Sequence, residues 1–329
     1  MPIVESIYPE KLSEGDMVRV IAPAFSMAII DIEIREIAQK HFEEELGLDV
    51  SYGSNAELID KFNSSPIEAR VDDFHEAISD KKVKAIFSII GGTNGNQILR
   101  KIDWDLVVRN PKIVCGFSDI TTLQNAIYQQ CGLVTYSGPH FSTFGQKIFD
   151  SYTSDYLKMA LFSNDPYCIS PSKEWTDDEW YLEQNVRVPI ANGGYWNIQN
   201  GHACGTSIGG NLCTLNLLQG TEFFPDAEEP IVFIEDTYES SARSIDRDLQ
   251  SLLHAKRVGG LIIGRFQNGS NVDKSTIEAI IASKDELHGI PVVANVDFGH
   301  TLPITTFPIG GSVAMNINEG VLNIEVTRH

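Results

Sequence analysis

The sequence predicts an α/β protein: a parallel-sheet N-terminal domain followed by a smaller mixed α/β domain. Three observations carry this. Short apolar, β-branched runs alternate with helix-period segments through the first half. Residues 83–90 (VKAIFSII) are apolar almost throughout, as expected of a strand buried on both faces. The last third mixes such units with a terminal hairpin pattern.

In chain order, residues 16–22 (DMVRVIA) read as the first strand. Ile30, Ile34, Ile37, Ala38 and Phe42 then recur at helical spacing. Residues 48–52 form a short strand. Ser64-Ser65-Pro66 opens a second helix marked by Ile67, Val71, Phe74 and Ile78. Strand 83–90 ends at Gly91-Gly92, strand 112–116 follows, and residues 119–130 read as a helix. Strands joined through helices imply right-handed crossovers and a parallel sheet. The N-terminal domain, residues 1–165, is therefore read as flavodoxin-like.

The periodicity breaks over residues 164–200, which hold Trp175, Trp180 and Trp196, three of the four tryptophans, with Asp177-Asp178-Glu179 and Gly193-Gly194. Residues 166–200 are read as a linker that continues into a long functional loop, because long structureless loops are uncommon unless they bind something. The C-terminal domain, residues 201–329, contains a strand at Ile231–Glu235, a helix through Ile245, Leu249, Leu252 and Leu253, strands at 260–266 and 291–296 around a helix at 274–284, and a hairpin turning at Asn318-Glu319-Gly320.

Composition narrows the function classes. The 329 residues carry 45 acidic and 25 basic side chains, a formal charge of −20, with no basic stripe for a phosphate backbone, so no nucleic-acid polymer is expected as partner. The acidity suits solubility, or repulsion of anionic ligands. Five cysteines without a CxxC pair suggest a reduced, cytoplasmic protein. The first twenty residues lack the basic and apolar regions of a signal peptide, and no apolar run reaches spanning length, so no membrane association is expected. No HExxH, CxxC or EF-hand spacing occurs, so no metal is expected.

The strongest chemical signal lies where strand 112–116 runs almost directly into a helix, in Gly116-Phe117-Ser118-Asp119-Ile120-Thr121. A serine at such a junction adopts a strained backbone and projects clear of the sheet, beside the free N–H groups of a helix start. Ile120 breaks the G-x-S-x-G pattern, so an α/β-hydrolase is not indicated, and Ser118 also suits a plain helix cap. Cys115, inside the strand, reads as core. Among eight histidines, His300 follows strand 291–296 at its carboxyl end, where sites of open α/β sheets collect. Glu235 ends strand Ile231–Glu235, and a carboxylate there needs a partner. Gly91-Gly92-Thr93-Asn94-Gly95 matches neither a P-loop nor G-x-G-x-x-G. Its glycines let backbone N–H groups approach a ligand, and one of them would complete an oxyanion hole with the N–H of Asp119.

Together these segments resemble the LD-carboxypeptidase family of serine peptidases. The resemblance runs through Gly91–Gly95, Ile102-Asp103, Asn110-Pro111-Lys112, Gly116–Thr121, Gly209-Gly210-Asn211-Leu212, Ile234-Glu235-Asp236, Ile245-Asp246-Arg247 and Phe298-Gly299-His300. It implies a triad of Ser118, Glu235 and His300, an oxyanion hole from the N–H groups of Gly92 and Asp119, no metal or organic cofactor, and a homodimer. One branch of the family trims D-alanine from murein tetrapeptides. The other resembles the microcin C self-immunity peptidase and cleaves aminoacyl or peptidyl nucleotides at the acyl bond to nitrogen. The Trp-rich insert favours the second, with Trp180 first and Trp175 second as the ring that stacks on a base, and Gly91 and Thr93 as further substrate contacts. A non-catalytic binding protein on the same fold is the remaining alternative.

Overall fold

The computed structural model describes residues 5–329. Its first sheet has six strands in the order Phe307–Ile309, Thr135–Ser137, Ile113–Gly116, Val83–Ser88, Met17–Ile21, Asp49–Tyr52. The five N-terminal strands are parallel, and Phe307–Ile309 joins antiparallel to Thr135–Ser137. The expected helices occupy Ile32–Glu44 and Ile67–Ser79. Strand Val83–Ser88 is buried at five of its six positions, which is why its sequence is nearly continuous in apolar residues.

The second sheet has eight strands. Gly201–Asn211, Ile231–Glu235, Gly260–Gly264 and Val292–Val296 run parallel at its centre. The hairpin Ser312–Asn318/Val321–Arg328 packs antiparallel on one side. Helices Ala242–Ala255 and Lys274–Ala282 lie where the helical spacing placed them. The stretch read as linker and loop is more ordered than that reading. Tyr167–Cys168 and Trp196–Gln199 are the two edge strands of the second sheet, and Glu174–Trp175 pairs with Ile190–Ala191. Strands of two to four residues are too short for an alternation to show in sequence.

One helix and one aromatic cluster, with the hydrogen bonds of Ser207 to the Pro308 carbonyl and the Gly310 N–H, join the two sheets. Helix Thr121–Cys131 is buried over most of its length. Its Asn125 amide donates to the Gly209 carbonyl at 2.8 Å and its Oδ1 accepts from the Gly209 N–H at 3.1 Å. Thr121 Oγ1 accepts from the Asn211 N–H at 2.9 Å. Gly209 and Gly210 have φ of +118° and +125°, and a Cβ on Gly210 would collide with Thr121 Oγ1, so both conformation and approach require glycine. Phe307 of the first sheet stacks on Phe233 of the second at 4.0 Å, with Phe298 edge-on to both. Asn211 lies in register beside Glu235. The helix behind Ser118 is thereby tied to the strands that lead to Glu235 and His300. No helix among the described residues is long and apolar enough to cross a membrane.

Candidate active site

Ser118 stands between strand Ile113–Gly116 and helix Thr121–Cys131, with φ of +59°. That is the left-handed region, unfavourable for a side chain other than glycine. The turn is possible because its neighbours are small. A Cβ on Gly91 would lie 2.9 Å from Ser118 Cβ and 3.0 Å from its Oγ, and a Cβ on Gly116 would strike Ser88 Oγ. The strain expected of this junction is therefore present.

His300 Nε2 lies 3.1 Å from Ser118 Oγ, and its Nδ1 lies 2.7 Å from Glu235 Oε2. The three residues come from two different sheets. Gly299 has φ of +105°, and a Cβ there would lie 2.9 Å from Glu235 Oε2, so glycine is needed for the turn to pass the carboxylate. Glu235 is 3% exposed, and its Oε1 has no hydrogen-bond partner among the described residues. Burial works against charge on His300, but the carboxylates of Glu235 and Asp236 outweigh it and hold its pKa above the ordinary 6.5. The neighbouring Asp236 is buried and accepts from the N–H groups of Thr237 and Cys213 and from Asn211.

Two groups here were not singled out from sequence. Phe117 stacks on His140 with ring centroids 4.1 Å apart and meets His300 edge-on at 5.2 Å. His140 Nδ1 lies 2.7 Å from Ser88 Oγ. Burial, then the nearby His300, keep His140 well below the usual histidine range, so it stays neutral. Nothing in the local sequence Gly138-Pro139-His140 marks it.

A cavity of about 400 Å³ opens over this group and is lined by Ser118, His300, Gly91, Gly92, Tyr238 and Trp180, among others. The N–H of Asp119 belongs to the first turn behind Ser118, where helix donors lack intrahelical acceptors. Trp180 is half-buried in the cavity wall. Trp175 is elsewhere: its ring lies 5.0 Å from the Arg265 guanidinium, and it lines neighbouring cavities instead. Thr93 is exposed and does not line the main cavity. The geometry thus gathers Ser118, His300, Glu235, Gly91, Gly92 and Trp180, and leaves Trp175 and Thr93 outside.

The tryptophan loop is pinned at several points. Thr176 and Leu302 exchange backbone hydrogen bonds of 2.8 and 3.0 Å, two residues beyond His300. Asp177 accepts from the Asn268 N–H at 2.6 Å and from Gln267 at 3.1 Å, and Asp178 accepts from the Val188 N–H at 2.8 Å. Those acids close the loop on itself and on its neighbours. At the loop's base, Asp297 is fully buried, pairs with Arg265 at 2.6 Å and accepts from Ser172 and Tyr195.

Cys115 is buried in its strand, where burial pushes the thiol pKa far up, so it has no nucleophilic character. No group of three or more His, Cys, Asp or Glu placed to hold a metal ion occurs among the described residues.

An imidazole bridging a strained serine and a buried carboxylate is the arrangement of serine hydrolases. The comparisons with known proteins agree. Residues 18–138 match the LD-carboxypeptidase N-terminal domain, and residues 204–315 match the LD-carboxypeptidase C-terminal domain. The chain belongs to the LD-carboxypeptidase family of serine peptidases. YocD of Bacillus subtilis (strain 168) is 50% identical over 98% of this chain and 100% of its own. The crystal structure of an MccF-like protein from Bacillus anthracis has a TM-score of 0.97 at 45% identity, covering 98% of this chain and 100% of that one. The microcin C7 self-immunity protein MccF of Escherichia coli is 29% identical over 87% of this chain and 86% of its own. A structure of MccF in complex with glutamyl sulfamoyl guanosine has a TM-score of 0.86 at 25% identity, covering 100% of this chain and 99% of that one.

Proposed function

We propose that this peptidase hydrolyses the acyl–nitrogen bond of aminoacyl or peptidyl nucleotides, with Ser118, His300 and Glu235 as its triad. The continuous hydrogen-bonded path from Ser118 through His300 to Glu235, opening into a cavity walled by Trp180, carries the reading. Ser118 Oγ attacks the acyl carbonyl while His300 Nε2 takes its proton. The oxyanion is received by the N–H groups of Gly92 and Asp119. His300 returns the proton to the leaving nitrogen, and the nucleotide portion departs. Water, deprotonated by His300, then releases the acyl group as a carboxylic acid. Glu235 holds Nδ1–H, so that Nε2 faces Ser118 as an acceptor. The likeness to MccF, solved with an aminoacyl sulfamoyl nucleoside, supports this substrate class. Detoxification of such compounds is the role we infer.

The test is hydrolysis of a panel of aminoacyl sulfamoyl adenosines alongside a murein tetrapeptide. Release of free amino acid from the panel is expected. Release of D-alanine from the tetrapeptide, with the panel untouched, would replace this reading with the murein-trimming one. The ring of Trp180 is assigned to the base. Trp180→Ala should raise KM for nucleotide-bearing substrates by roughly 5- to 100-fold, as loss of one base stack implies, with kcat nearly unchanged. An unchanged KM would remove Trp180 from the binding site.

A further inference from the structure

The segment Gly91–Gly95 is held in place from three sides. The Gly91 carbonyl accepts from the Phe25 N–H at 3.1 Å. Arg70 is 2% exposed, and its Nη1 donates to the Asn94 carbonyl at 3.0 Å and to Asn94 Oδ1 at 3.3 Å. The same guanidinium donates to the carbonyls of Ser65 and Pro23 and to Gln97, and so it ties this segment to the neighbouring loops. On the third side, the Gly95 N–H donates to Asp119 Oδ2 at 2.7 Å. Asp119 is itself 2% exposed. A Cβ on Gly95 would lie 3.0 Å from that carboxylate oxygen, so glycine permits the close approach.

Asp119 therefore occupies two places in the site. Its N–H follows Ser118 at the start of the helix, and its side chain grips the segment that carries Gly92. A buried carboxylate is costly unless it is hydrogen-bonded. Here burial raises its pKa above the ordinary carboxylate value, and the N–H groups of Gly95 and Asn94 and the charge of Arg70 offset only part of that rise.

We propose that the Asp119 carboxylate, backed by Arg70, is a positioning residue that fixes the separation of the two oxyanion donors, Gly92 N–H and Asp119 N–H. This rests on the triad reading above. Donors to an oxyanion act through fixed placement, and a small displacement removes much of their effect on the transition state. Substrate binding in the ground state depends on them far less.

The experiment compares Asp119→Asn and Asp119→Ala with wild type, using an aminoacyl sulfamoyl adenosine as substrate and an aryl boronic acid as a tetrahedral trap for Ser118. Asp119→Ala should lower kcat by roughly 10- to 100-fold with KM within about twofold, and should weaken the boronate by a similar factor. Asp119→Asn keeps the size and one acceptor oxygen, so it should fall between Asp119→Ala and wild type. It serves as the folded comparison should Asp119→Ala unfold. A purely structural role would lower melting temperature without this split between kcat and KM. Boronate affinity and kcat within twofold of wild type in Asp119→Asn and in any folded Asp119→Ala would overturn the proposal, as would a loss of activity with boronate affinity intact. Ser118→Ala separates this failure from that of the triad: an active Ser118→Ala sinks the triad, whereas an inactive one beside fully active Asp119 variants sinks only the positioning role.

Discussion

Ser118→Ala is expected to lower kcat on aminoacyl sulfamoyl adenosine by roughly 10⁴-fold or more, since it removes the proposed nucleophile and with it the covalent route. KM should change little, because the cavity wall and Trp180 remain. The fold should also survive, because alanine meets the same backbone penalty at φ of +59° that serine already carries. Ser118→Gly sharpens the test. Glycine adopts the left-handed region without that penalty, so this variant should be equally inactive yet more stable, by about 1 kcal/mol. Product release by chromatography and melting by calorimetry report the two effects separately. Residual activity above about one-hundredth of wild type in Ser118→Ala would contradict a serine nucleophile, given the losses seen when such residues are removed. A Ser118→Gly variant no more stable than wild type would show that the turn is not strained. The pairing of lost activity with gained stability distinguishes a functional strained turn from a helix cap, whose removal only destabilises.

What was legible in the sequence follows from how each feature is encoded. Ser118 was visible because a strand and a helix abut there with no intervening loop, a feature of a few consecutive residues. His300 and Glu235 could be placed at strand ends, but their convergence on Ser118 depends on the packing of helix Thr121–Cys131 against Gly209 and Gly210, which no local pattern reports. The family resemblance supplied that link. The eleven-residue strand Gly201–Asn211 was missed because glycines at 201, 205, 209 and 210 are depleted from strands, and here they serve close approach instead. Helix Ser151–Phe162 was missed because its buried face is built from Thr153, Ser154 and Tyr156 as well as Leu157 and Leu161, which blurs the apolar stripe. Trp180 is ranked ahead of Trp175 from the sequence, but both are assigned to the substrate site. They differ because Trp175 belongs to a short strand pinned over the buried Arg265–Asp297 pair, whereas Trp180 lies beyond that strand.

Glu235→Gln should be nearly as damaging as loss of the serine, and its pH profile should reveal the cause. In the proposed mechanism His300 accepts the serine proton only when neutral, so kcat/KM in the wild type should rise with pH through a His300 pKa above 6.5. With Glu235 neutralised, burial opposes the charged imidazole with only Asp236 left to offset it. The pKa must then fall, and the acid limb must move to lower pH. The rate on the plateau should nevertheless drop by roughly 10²- to 10⁴-fold, as expected when the orienting acid of a triad becomes an amide. Glutamine has two orientations at this site. With its oxygen on Nδ1, the correct tautomer is kept, but its NH₂ takes the place of Oε1, which has no partner among the described residues. That costs about 1–3 kcal/mol of stability. With its NH₂ on Nδ1, the proton is forced onto Nε2, and His300 can no longer accept from Ser118. Stability carries the opposite pH sign to activity. A histidine whose pKa is raised by folding stabilises the protein below about pH 6.5, and that contribution is lost as pH rises through the folded pKa. Glu235→Gln should remove this dependence, so its melting temperature should fall further behind wild type at pH 6 than at pH 8, taken as approximate settings on either side of the transition. An acid limb that stays in place in Glu235→Gln, with the plateau lowered, would mean that a group other than His300 titrates in the rate.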